Sequence, residues 1–128
     1  MKKSLVTLVL AGVLSLVGVS EAFAANQYEY KSLTNNQSGV TNWVQGQHAY
    51  GRWTLQVTSG TVNANLYESC PGYPAFIYME GLTVTAANGS SAEKSSDYYM
   101  SGNCLYQVEV YKDNNKAVSS KIHIRNYK

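Results

Sequence analysis

Cysteine, histidine, tryptophan, phenylalanine and proline each appear only twice in these 128 residues. Two cysteines without C-x-x-C spacing and two distant histidines do not make a tetrahedral cluster, so neither a metal nor another cofactor is expected. No G-x-S-x-G elbow exists to expose a serine nucleophile. Charge is scarce too: Lys and Arg total 10, Asp and Glu 8. With Lys2, Lys3 and Glu21 set aside, 8 basic residues face 7 acidic ones, which is close to neutral. That balance excludes the broad positive field that nucleic acids and anionic membranes require. Helical periodicity, internal repeats and charge blocks are all missing.

Only one long apolar run occurs, and it is N-terminal. Lys2 and Lys3 precede Leu5 to Val19, and Ala22-Phe23-Ala24 offers the small residues a signal peptidase accepts at −3 and −1. Residues 1–24 read as a cleaved secretory signal peptide, with Ala25 as the mature N-terminus. The run is shorter than the about 20 residues of a spanning helix, so no membrane span is expected in the mature chain. Residues 25–128 suffice for a single domain, expected to be monomeric and secreted, periplasmic or extracellular. In an oxidising compartment Cys70 and Cys104 are expected to form a disulfide.

What the chain has in plenty is tyrosine, eleven in all and every one beyond residue 24. Tyr, Val, Thr and Ile favour pleated, half-buried surfaces, and Asn, Ser and Gly supply turns. Period-two alternation recurs in Trp53/Leu55/Val57, in Val62/Ala64/Leu66 and in Leu82/Val84/Ala86. Phe76 to Met79 reads as a short strand buried on both faces. Turn signals stand at Gly46-Gln47, Ser59-Gly60, Pro71-Gly72 and Asn88-Gly89. The expectation is an all-β fold, a small antiparallel β-sandwich of about seven or eight strands or a small barrel.

Cys104 to Lys112 and Ala117 to Tyr127 read as a hairpin around Asp113–Lys116. A three-residue loop there sets Val108 opposite Ile122 and Glu109 opposite Lys121, which keeps the apolar residues on one face. An immunoglobulin signature is absent: both tryptophans precede Cys70, and Gly102 stands where a tyrosine would be.

Three constellations bear on function. His48, Arg52, Glu68, Glu80 and His123 nominally offer the groups of a small secreted hydrolase such as a ribonuclease, though any chain of this size offers as much. Lys121, His123 and Arg125 form a basic stripe on one strand face; protection of an edge strand explains it better than anion binding. Asp113-Asn114-Asn115 lacks the glycine and glutamate of a calcium loop, and Asn36-Gln37-Ser38 and Asn88-Gly89-Ser90 are glycosylation patterns. Tyrosines are the strongest signal, since Tyr28, Tyr30, Tyr67, Tyr73, Tyr98, Tyr99, Tyr111 and Tyr127 cannot all point inward. Tyr67 and Tyr111 alternate away from Leu66 and Val110. Tyr98 and Tyr99 are expected at the rim of an irregular loop, Asn88 to Asp97, with Tyr73 in the Cys70–Pro74 loop. The expected function is a non-enzymatic binding module that contacts carbohydrate or a cell-surface polymer through Tyr98, Tyr99 and Tyr73. The alternative is a protein-directed module (an inhibitor, toxin or surface-assembly component) that uses the loop beside the disulfide or an edge strand.

Overall fold

The computed structural model describes residues 25–34, 38–73, 75–112 and 118–128. The signal segment, the Asn36-Gln37 pattern, Pro74 and the turn and calcium-like residues 113–116 lie outside them. Among the described residues the chain is all-β, with seven strands: β1 (Tyr28–Thr34), β2 (Ser38–Val40), β3 (Val44–Gln45), β4 (Ala49–Ser69), β5 (Ile77–Met100), β6 (Leu105–Lys112) and β7 (Ser119–Arg125). All pairings are antiparallel.

The architecture follows from one long hairpin that is bent in the middle. β4 and β5 pair along their length, from Ala49↔Met100 to Glu68↔Ile77. The buried residues of β4 are odd-numbered up to Val57 and even-numbered from Val62. That parity change marks a corner. Ser59 and Gly60 have φ of 57° and 133°. Opposite Ser59, β5 carries residues 87–90, because Gly60 pairs with Ala86 and Thr58 with Ser91. The Gly89 N–H donates to Ser59 Oγ at 2.7 Å and steadies the bulge. Bulges of this kind bend a strand and let it pass from one sheet to the next.

Each half of the hairpin then recruits its own neighbours. The first layer runs β1–β7–β4–β5 through residues 49–58 of β4, and the second runs β2/β3–β6–β4–β5 through residues 60–69. The layers close on one apolar core that includes Trp53, Leu55, Leu66, Met100, Tyr106, Ile122 and Ile124. Glu80 bolts them together by accepting from Trp53 Nε1 (2.8 Å) and Ser96 Oγ (2.6 Å). The result is a sandwich close to a closed barrel.

The disulfide Cys70–Cys104 extends the β4–β6 ladder one step beyond Ser69↔Leu105. Three expectations are corrected. β6 and β7 do not form a hairpin; both pair with β4, so Val108 faces Leu66 and Ile122 faces Leu55. The same one-sided burial is satisfied, but by a shared third strand. Ser59-Gly60 and Asn88-Gly89 are corners inside continuous strands, and Asn88 to Asp97 belongs to β5 rather than to an irregular loop. Phe76 to Met79 is not buried on both faces, because β5 is an outer strand there and leaves Ile77 42% and Tyr78 55% exposed.

Candidate binding surfaces

Both layers turn a polar face outward, and the two faces differ in chemistry. On the second layer the register sets Ser38, Tyr111, Asn63 and Thr83 in one row and Val40, Glu109, Asn65 and Gly81 in the next, with Gln107 and Tyr67 beyond. Tyr67 and Tyr78 are cross-strand partners and meet edge-on, with ring centroids 6.3 Å apart. The Tyr67 hydroxyl donates to Glu109 Oε1 at 3.0 Å. Burial raises its pKa, with Glu109 adding to the effect, so it remains a neutral phenol. A Cβ at Gly81 would lie 2.9 Å from Asn65 Oδ1 and 3.2 Å from the Tyr78 hydroxyl, so a larger residue there would displace these two side-chain ends. Beside it lies an open cleft of about 350 Å³ lined by Val40, Tyr67, Ala75, Phe76, Gln107 and Glu109. Rings flanked by amides and a carboxylate can stack on a sugar and bond its hydroxyls.

The sequence-derived tyrosines are dispersed. Tyr73 is half-exposed in the loop held by the disulfide, where its N–H donates to Cys70 O. Tyr98 and Tyr99 are adjacent strand residues and point to opposite sides. The Tyr98 ring packs on the core, 6.1 Å from that of Tyr106, and its hydroxyl donates to Met79 Sδ. Burial, then Glu68 and Glu80, raise its pKa. Tyr99 is exposed and meets Tyr50 edge-on at 5.6 Å. Tyr78 and Phe76 were missed because their run looked uniformly apolar. Tyr67 and Tyr111 were legible from alternation.

Of the hydrolase-type groups, Arg52 and His123 share a cleft and the others lie apart from it. Glu68 accepts from the buried Tyr106 hydroxyl at 2.6 Å, and burial with this bond pushes the Tyr106 pKa far up. His48 accepts from the Gly102 N–H at the surface. Arg52 and His123 lie on the outer face of the first layer. Among the described residues, the ligand atoms close enough for a metal are those of Glu68, Cys70 and Cys104, whose sulfurs are bonded to each other.

No protein-family model matches the chain, and no curated protein matches it. Among solved structures, that of Eiger TNF from S. frugiperda aligns at 6% identity and a TM-score of 0.42, over 76% of this chain and 90% of that chain.

Proposed function

We propose that this protein is a secreted, non-enzymatic binding module whose outer second-layer face recognises carbohydrate or a cell-surface polymer. The observation that carries this reading is the Tyr67–Tyr78 pair beside the cleft of Phe76, Gln107 and Glu109. Exposed tyrosine rings give contact area with little rotamer entropy to lose. Asn63, Asn65, Gln107 and Glu109 supply oriented donors and acceptors around them. Secretion is supported by the N-terminal segment and by the disulfide, and among the described residues no helix is long and apolar enough to cross a membrane. Tyr73 is a peripheral contact in this scheme; Tyr98 is a packing residue, and Tyr99, paired with Tyr50, lies on the outer face of the other layer.

The test is retention of the purified, oxidised protein on insoluble cellulose, chitin and peptidoglycan. Retention that resists salt, yields to soluble sugar and disappears in Tyr67→Ala or Tyr78→Ala is the expected result. Retention indifferent to both substitutions would overturn the assignment of this face. A second reading, a protein partner, is favoured by one observation: Tyr73 and Ile77 are exposed around the disulfide-held turn. Loss of a secreted partner in Tyr73→Ala, with no retention on any polysaccharide, is the outcome that reading requires.

A further inference from the structure

We propose that the outer face of the first layer holds a second, separate site for the carboxylate or sulfate groups of an acidic polysaccharide, built from Arg125, Arg52 and His123 beside Tyr28. The choice of a polysaccharide rests on the carbohydrate reading; the choice of an anion does not. The basic stripe Lys121, His123, Arg125 lies on β7, which is flanked by β1 on one side and β4 on the other. It is not an edge strand, so edge protection does not explain the charge. Nor does Glu109 neutralise Lys121. Glu109 is on β6 in the other layer, and Lys121 is flanked instead by Ser32 and Gln56.

The register makes the charge density worse. Arg125 stands directly opposite Arg52, and like charges in that relation destabilise a sheet. Arg52 is answered by Asp97, with Nε to Oδ1 at 2.7 Å and a second bond at 3.2 Å. Asp97 is also shared with Lys128 at 3.3 Å. Arg125 donates from Nε to the Tyr127 carbonyl and sits over the Tyr127 ring, and among the described residues no carboxylate pairs with its guanidinium. Beside it the His123 ring nitrogen Nδ1 meets the Tyr28 hydroxyl. These groups surround an open cleft of about 280 Å³, lined by Tyr28, Arg52, Thr54, Gln56, Glu93, His123 and Arg125. Glu93, bonded to Gln56 at 3.2 Å, closes one side and repels an oxyanion toward the arginine end. A planar guanidinium suits a carboxylate or sulfate, and Tyr28 and Tyr30 offer rings for the attached sugar.

Affinity of the whole protein for dextran sulfate, polygalacturonate and neutral dextran tests the site. Expected is binding to one or both charged polymers, absent on neutral dextran and falling steeply with salt. Arg125→Gln should weaken it about tenfold or more without lowering the melting temperature. Lys94→Gln, an equal loss of charge on β5, should leave it within about twofold. Equal losses in the two variants would mean diffuse attraction and overturn the site, as would binding to neither charged polymer. Tyr78→Ala separates the two faces: it should abolish retention on neutral polysaccharide and leave the charged polymers bound. Failure on insoluble neutral polymers with binding to charged ones would sink the second-layer reading alone.

Discussion

A buried primary amide needs partners for two donors and an acceptor, and Asn126 has them. Its Nδ2 donates to Ala25 O (2.9 Å) and Gln45 O (2.7 Å), and its Oδ1 accepts from the Gln27 N–H (2.7 Å). One fully buried side chain thus ties the start of the described chain to its end and to β3. Asn126→Ala would strand these backbone groups, and a loss of about 2–4 kcal/mol is expected in urea unfolding. Asp97 makes the opposite kind of contribution, partly exposed and pH-dependent. The Arg52 hydrogen bond leads in holding its pKa down at about 2. A depressed carboxylate stabilises the fold above its unfolded pKa, near 4, and that stability is lost as pH falls toward 2. Acid unfolding of Asp97→Asn should therefore lack a component between those limits, and high salt should shrink the difference, because the pair is open to solvent.

At the scale of strands, the corner at Ser59-Gly60 decides the fold. Gly60, at φ 133°, occupies a conformation that residues with a Cβ rarely adopt, and an added Cβ would meet Val118 Cγ2 at 3.1 Å. Gly60→Ala should cost about 1–3 kcal/mol, whereas Ser59→Ala, which loses one exposed bond to Gly89, should cost under about 1 kcal/mol. Equal costs would show that backbone strain is not the controlling feature. The same corner separates what was legible in the sequence from what was not. Alternation named the inward residues Trp53, Leu55, Val57, Val62, Ala64 and Leu66, and the disulfide followed from there being two cysteines. Alternation is local, however, and says which face a residue takes, not which strand lies beside it. Val108 opposite Ile122 and Val108 opposite Leu66 bury the same side chains, so the pattern was satisfied by a hairpin that does not exist. The second-layer face was half legible: Tyr67 and Tyr111 showed by parity, while Tyr78 was hidden in an apolar run whose outer-strand position depends on topology. The basic stripe was visible from spacing, but its meaning turned on β7 being an inner strand.

For the molecule as a whole, the shared hairpin makes the two layers thermodynamically inseparable. β4 and β5 belong to both, Glu80 of the second layer holds Trp53 of the first, and the ends are joined through Asn126. Neither layer keeps a core if the other opens, so unfolding should be a single cooperative transition. The Cys70–Cys104 bond spans 34 positions and clamps the far end of the second layer. By loop-closure entropy it contributes on the order of 3–4 kcal/mol. Reduction should lower stability by about that amount, and the cooperative coupling fixes how the loss is distributed. Trp53, fully buried in the first layer, lies in the half of β4 remote from the disulfide. If the layers are coupled, then in a Trp43→Phe variant, where Trp53 is the sole tryptophan, its fluorescence and the far-ultraviolet circular dichroism should shift to the same lower urea midpoint on reduction. A Trp53 transition that keeps its oxidised midpoint while the circular dichroism moves would show that the second layer opens alone.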